Sequence, residues 1–271
     1  MAAEARPASE PLLSVHDLRT WFPIKKGLFQ KTVGHVKAVD GVSFDVQAGR
    51  TLALVGESGS GKTTVGRTLM RLIPAHDGRV TFDGDDWFSL TDDRLRSSRR
   101  KMQMIFQDPM TSLNPRMRVE QLVGEGIEAF RLAPDARARR DRVVEVLERV
   151  GLGTDHLARF PHEFSGGQRQ RLGIARALAV EPSLLICDEA VSALDVSIQA
   201  QILNLLSDLQ QDLGIAYIFI THDMGVVKHL ADDVAVMYSG EIVECNEARA
   251  LFDAPTHPYT QRLLSSVPTI D

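Results

Sequence analysis

The segment GESGSGKTT, Gly56 to Thr64, places three glycines, two serines, a lysine and two threonines directly after the apolar run TLALV. It offers almost nothing to a core, so its value lies in backbone and polar groups turned toward something charged. Glycines let consecutive N–H groups turn inward around phosphate oxygens, and a helix starting at the end of the segment adds a partial positive charge. In the spacing G-x-x-x-x-G-K-[ST], Lys62 reaches the β- and γ-phosphates of a nucleotide and the Thr63 hydroxyl binds Mg2+. Gly56, Glu57, Ser58, Gly59, Ser60, Gly61, Lys62, Thr63 and Thr64 are thus candidate nucleotide-binding residues. The competing reading is a glycine-rich turn with no ligand.

A second segment, SGGQRQR, stands just before the helical run IARALAV. Ser165, Gly166, Gly167 and Gln168 present a hydroxyl and glycine amides at another helix N-terminus, which makes a second phosphate-recognition surface or, read alone, a plain helix cap. The run SLLICDE ends in two acids. Asp188 is suited to hold Mg2+ through water and Glu189 to orient and deprotonate an attacking water. A solvated acid pair is the alternative, but strand ends beside a phosphate loop face the ligand in open α/β sheets. His222, in ITHD, ends the strand AYIFI in the same way and is expected within reach of a γ-phosphate, although a lone histidine is usually structural. Gln107, in MIFQDP, offers an amide to Mg2+ or water, or else simply starts a turn before Asp-Pro.

These residues need strands that end together and helices that start there. TLALV, SLLICDE and AYIFI read as buried parallel strands, with VSIQAQILNLLSDLQQDLG as the helix joining the last two. LLSVHDL, VKAVDGVSFDV and the pair RVTFDG and DDW read as further strands, and VGRTLMRLI as a helix closed by Pro74. Residues from about 112 to 170 change character, with DARARRDRVVEVLERVGL as an amphipathic helix, and form a candidate helical subdomain. Residues 1–11 read as a mobile arm. The basic stretch from Arg94 to Lys101 adjoins Asp92 and Asp93 and reads as solvated surface.

Composition narrows the classes. With 271 residues, 44% hydrophobic and 25% charged, the chain can build a sizeable core. A net charge of -5 gives no footprint for nucleic acid, so no such partner is expected. Two cysteines exclude a disulfide framework or a four-thiolate metal site, and fit a reducing compartment. No run of about 18 apolar residues occurs, and MAAEARPASEPLL lacks a signal-peptide core, so membrane association is expected through a partner.

With its motifs in order, the sequence resembles the nucleotide-binding subunit of an ATP-binding cassette (ABC) transporter over nearly its whole length. Walker A spans 56–63, Gln107 is the Q-loop, SGGQ at 165–168 is the signature, Asp188 and Glu189 close Walker B, SALD at 192–195 is the D-loop and His222 the H-loop. The resemblance implies an α/β fold: a P-loop NTPase RecA-like core with an antiparallel β-subdomain and an inserted α-helical subdomain. It implies ATP and Mg2+ as ligands, with a head-to-tail dimer of ATPase subunits, the second a copy or a related chain, sandwiching two ATP molecules. Asp195 of the D-loop joins the nucleotide-binding set, and an aromatic near the N-terminus stacks on adenine, Phe22 matching best and Trp21 next.

PHEFSGGQRQR, FQDPMTSLNPRM, VSALDVSIQAQ and the tail APTHPYTQRLLSSVP look like the oligopeptide and dipeptide importer branch, which includes nickel and glutathione systems. The implied setting is the cytoplasmic face of the cell membrane, with transmembrane permease subunits as partners and an external solute-binding protein acting indirectly. The cassette domain is expected over 12–250 and a branch-type tail over 251–271. Ala190 departs from the proline common after the catalytic glutamate but leaves both acids in place. A non-transport ABC ATPase is the remaining alternative, although the chain has neither a second cassette nor a coiled-coil insertion.

Overall fold

Alternation of apolar and polar residues from Leu13 onward builds the first of two compact units, formed by residues 1–90 and 222–271. The computed structural model describes residues 10–27, 30–108, 112–192 and 194–265, so most of the expected N-terminal arm lies outside the described residues. Strands β1 (Leu13–Lys26) and β2 (Lys31–Val46) pair antiparallel from Leu13↔Val46 to Lys26↔Lys31. They run well beyond the short strands expected from sequence. On its other side β1 pairs antiparallel with β4 (Asp77–Phe82), which pairs with β5 (Asp85–Asp86), giving the order β2-β1-β4-β5. Leu13, Val15, Leu18 and Thr20 are buried, the Thr20 hydroxyl meeting that of Thr68 at 3.0 Å. Trp87, also buried, donates its indole N–H to Leu69 O at 2.6 Å and packs edge-on against Phe82.

The same unit holds β3 (Thr51–Val55), buried along its whole length and parallel to β9 (Asp233–Tyr238). A strand covered on both faces reads as a continuous apolar run, which is why TLALV shows no alternation. β10 (Glu241–Glu247) returns antiparallel to β9. Helix α1 (Lys62–Leu69) follows the glycine segment. It ends inside the run VGRTLMRLI, where Arg71 takes a left-handed φ of 55° and spends its guanidinium on the carbonyls of Trp87 and Leu90.

The second unit, residues 91–221, opens with α2 (Asp92–Lys101). This helix buries no residue, and its basic side chains find local partners: Arg96 donates to Ala129 O and Arg100 pairs with Glu181. Strands β6 (Met102–Ile105), β7 (Leu184–Asp188) and β8 (Ala216–Thr221) are parallel, in the order β6-β7-β8. Between β6 and β7 lie α3 (Val119–Ala129), α4 (Ala136–Arg149) and α5 (Gly166–Leu178). Asp135 caps α4 by accepting from Ala138 N–H, and Gly151 at φ 74° follows its end. The right-handed crossover expected of a parallel pair is carried from β7 to β8 by α6 (Val196–Leu213), which Gly214 terminates at φ 66°. In the first unit, α7 (Met224–Leu230), α8 (Ala248–Asp253) and α9 (Pro258–Ser265) complete the described chain.

Candidate functional site

The glycine segment bridges β3 and α1, and its three glycines answer to different constraints. At Gly56, φ is 149° and a Cβ would sit 2.1 Å from the Met237 carbonyl oxygen; at Gly61, φ is 107° and a Cβ would sit 2.1 Å from that of Ala38. β9 and β2 therefore press directly on the loop. Gly59, at φ 83°, has no neighbour near its would-be Cβ, so only its left-handed backbone demands glycine. Glu57, Ser58 and Gly59 are exposed, whereas Ser60 is buried and its carbonyl accepts from Gly240 N–H. Lys62 is 5% exposed, and its ammonium donates to Gly56 O at 2.7 Å, Glu57 O at 2.8 Å and Ser60 Oγ at 3.3 Å. A buried ammonium held at the mouth of an open-backed loop that runs into a helix N-terminus has the chemistry of a polyphosphate cradle.

In the second unit, β7 ends at Asp188, which is 1% exposed, and the next residue, Glu189, is left-handed at φ 48°. That conformation is costly for a residue with a Cβ and persists where the surroundings fix it. They do so on both sides: Glu189 N–H donates to Ile220 O at 2.9 Å, and Glu189 O accepts from Ser192 N–H at 3.1 Å and Ser192 Oγ at 3.0 Å. The carboxylate is thereby turned to meet Gln107, whose Nε2 donates to Glu189 Oε2 at 2.6 Å. Two residues predicted independently to act on water or metal are thus in direct contact. Cys187, buried beside them, has its thiol pushed up to about 12 by burial and by Asp188, and is chemically inert.

Ser165 is the N-cap of α5, exposed, and forms a reciprocal box with Gln168: its Oγ accepts from Gln168 N–H and its N–H donates to Gln168 Oε1. The helix takes in both glycines rather than starting after them. Gly167 packs so tightly that a Cβ would come within 2.5 Å of Ile198 Cγ2, whereas at Gly166 the nearest atom would be Leu194 Cδ2 at 3.7 Å. Asp195 stands at the N-cap of α6 without a side-chain cap bond, and Ala193 of the D-loop lies outside the described residues, as do residues 109–111 after Gln107. His222 is exposed, and Asp223 after it caps α7.

Phe22 is 38% exposed on β1. Trp21 is engaged: its ring stacks on His76 at 4.1 Å, and the Lys37 ammonium lies 4.8 Å from its centroid. That difference favours Phe22 as the residue open to a ligand. Sequence reasoning placed Ser192 in the D-loop string and Tyr259 in the tail but gave neither a contact; Ser192 donates to Glu189 O, and the Tyr259 hydroxyl accepts from Glu57 N–H within the glycine loop.

Among the described residues no cluster of three or more histidines, cysteines and acids could cage a metal. The residues expected on a metal from the sequence are Gln107 and Asp188 in the second unit, an amide and a carboxylate, and Thr63 in the first, a hydroxyl. All are hard oxygen donors, a set that fits Mg2+ arriving with substrate phosphates.

Phosphate-binding loop, strand-end acids and parallel sheet together define a P-loop nucleotide-hydrolysing protein. Residues 39–192 match the family described as ABC transporter, and residues 243–271 match that described as oligopeptide/dipeptide transporter, C-terminal region. The chain is 52% identical over 260 residues to the oligopeptide transport ATP-binding protein AppF of Bacillus subtilis, covering 96% of this chain and 79% of the relative. It is 53% identical to the glutathione import ATP-binding protein GsiA of Escherichia coli, covering 97% of this chain but 42% of GsiA. Among solved structures, the dimeric post-hydrolysis state of the ATP-binding cassette MJ0796 bound to ADP and Pi aligns at a TM-score of 0.76 and 28% identity, covering 88% of this chain and 99% of that one. The chain belongs to the ABC transporter family, as an ATP-binding subunit with the ABC ATPase fold. No described helix is long and apolar enough to cross a membrane.

Proposed function

We propose that this chain hydrolyses ATP to energise import of oligopeptides or dipeptides, working at the cytoplasmic face of the cell membrane with transmembrane permease subunits. An external solute-binding protein delivers the solute, and nucleic acid plays no part. The observation that carries the reading is the coexistence of an intact hydrolytic pair, Gln107 to Glu189 at 2.6 Å, with a C-terminal region of the oligopeptide/dipeptide transporter type. The relatedness to GsiA supports glutathione as the second reading.

In this mechanism Gly56 to Thr64 enclose the phosphates, Lys62 supplies charge to the β- and γ-oxygens, and Phe22 stacks on adenine. Glu189 accepts a proton from water as the water oxygen attacks the γ-phosphorus and the bond to the bridging oxygen of ADP breaks. Gln107 orients that carboxylate, and His222 contacts the γ-phosphate. Thr63, Gln107 and, through water, Asp188 would hold Mg2+, which would neutralise charge on the phosphates. The cassette domain spans 12–250 with a helical subdomain over about 112–170, and the tail spans 251–271. Ser165, Gly166, Gly167, Gln168 and Asp195 serve the ATP of a second cassette, a copy or a related chain, in a head-to-tail dimer.

The test is uptake. In source cells lacking this chain, radiolabelled tripeptide uptake is lost, and is restored by the native chain but not by Lys62→Ala. Unchanged peptide uptake in the deletion, with glutathione uptake lost, would overturn the peptide reading in favour of the second.

A further inference from the structure

The phosphate loop is tied to a residue 202 positions away. Glu57 N–H donates to the Tyr259 hydroxyl oxygen at 2.9 Å, while Glu57 O accepts from the Lys62 ammonium at 2.8 Å and from Ser60 N–H at 3.2 Å. One residue of the loop thus links Tyr259 to the lysine expected on the phosphates. Tyr259 is 2% exposed and sits in the core with Val55 and Val236, near the ends of the strands that support the loop, against the ring of Tyr238 at 4.4 Å. Leu263 and Leu264 of the same helix, α9, pack against that core.

The chain reaches this position through an anchor on β10. The Glu244 carboxylate accepts from Thr256 N–H at 2.8 Å, Thr256 Oγ1 at 2.9 Å and His257 N–H at 2.9 Å. Burial opposes its charge, yet the amides of Thr256 and His257 and the Thr256 hydroxyl hold the carboxyl down to about 2. With its folded value below that of the unfolded chain, the anchor contributes fully above pH 4.5 and fades only as pH falls toward 2. The link from Glu244 to Thr256 and His257 is therefore charge-assisted throughout the physiological range.

We propose that Tyr259 is a positioning residue of the phosphate loop, and that the docked C-terminal segment, latched through Glu244, sets the affinity for ATP. This rests on the ATP-binding reading above. The Glu57 N–H is only partly buried, so without the hydroxyl it loses a directed bond that water replaces incompletely, and removing one oxygen atom is felt at Glu57 and, through Glu57 O, at Lys62. Tyr259 touches neither substrate nor reacting atoms. Its effect falls on binding rather than on the chemical step.

The experiment uses the full chain. Tyr259→Phe keeps the ring and deletes the hydroxyl; Glu244→Ala releases the anchor without touching the ring or the loop. Each is expected to raise KM for ATP about five- to tenfold with kcat changed less than twofold, and the melting temperature of Tyr259→Phe to stay within about 2 °C of native. The double variant is no worse than the more severe single one, because both act along one path. A native KM in both single variants overturns the proposal. So does a parallel fall of kcat and melting temperature with KM unmoved, which marks a purely structural contact. Failure of the ATPase reading itself is distinguishable, since there the native chain would release no phosphate from ATP, or Lys62→Ala would release it at the native rate.

Discussion

Glu189→Gln separates chemistry from structure at the strand-end acids. The backbone locks on residue 189, from Ile220 O and from Ser192 N–H and Oγ, involve no side-chain atom of the glutamate, so the left-handed φ of 48° is retained. A glutamine has nearly the same length and an amide oxygen able to accept from Gln107 Nε2, which now lies 2.6 Å from the carboxylate. What disappears is the charge and the capacity to take a proton. The bond to Gln107 falls from charge-assisted to neutral, about half as strong, and because Gln107 is exposed the stability change stays within about 0.5 kcal/mol. Loss of a general base costs about 10²- to 10⁴-fold, so the barrier rises by at least about 2.7 kcal/mol. Phosphate release at saturating ATP should fall at least about 100-fold, while affinity for trinitrophenyl-ATP stays within about twofold of native. Turnover within threefold of native in a folded variant would refute the assignment of Glu189 as base.

Other substitutions divide the remaining roles. Lys62→Ala removes the ammonium now shared by Gly56 O, Glu57 O and Ser60 Oγ, and should weaken trinitrophenyl-ATP binding at least about tenfold and abolish turnover; native affinity and rate would count against the phosphate role. Gly166→Ala and Gly167→Ala should both abolish hydrolysis in the assembled transporter, but only Gly167→Ala should lower stability, by about 1 kcal/mol, because its Cβ would press on Ile198; thermal melts check this, and Ile198→Ala should restore the loss. Phe22→Ala should raise KM for ATP about tenfold, the scale of stacking on a base, whereas Trp21→Phe should leave it near native; the reverse order would move the adenine contact to Trp21. If the partner cassette is a copy, mixing Ser165→Arg with Lys62→Ala chains should yield more phosphate release than either alone, and mixed dimers without any rescue would exclude sites shared between copies.

How much of this was legible depends on the distance over which each constraint acts. Phosphate chemistry needs its residue types at fixed local spacing, so the glycine segment could be placed between a strand and a helix, where it lies between β3 and α1. A buried strand between turn residues is likewise a local pattern, and TLALV, SLLICDE and AYIFI lie on β3, β7 and β8. The end of α1 could not be read, because VGRTLMRLI keeps its helical spacing past Leu69; the break comes where Arg71 reaches the Trp87 and Leu90 carbonyls. Gln107 and Glu189 were each assigned to water or metal, but their contact spans 82 residues and no local pattern contains it. Ser192 was legible only as the first residue of the D-loop string, and its bonds to the Glu189 carbonyl had no signal of their own. Tyr259 was visible only as part of a tail resembling one importer branch.

The glycines of the phosphate loop show why a motif that is read as one chemical unit must be tested as several physical ones. Its spacing was read as that of a phosphate cradle, yet Gly56 and Gly61 are also fixed by protein, because carbonyls on β9 and β2 occupy the space a Cβ would need. Alanine at either position would displace backbone before any nucleotide was involved, and lost ATPase activity in such a variant would say nothing about phosphate contact. Gly59 is the informative position. Nothing lies near its would-be Cβ, so alanine there costs only the left-handed backbone, about 1 kcal/mol, and leaves the supporting strands alone. Asparagine, which tolerates that backbone better, fits the same space. Loss of ATP affinity in Gly59→Asn with an unchanged melting temperature therefore belongs to the phosphate face of the loop, whereas the same loss in Gly61→Ala belongs to its seat on β2.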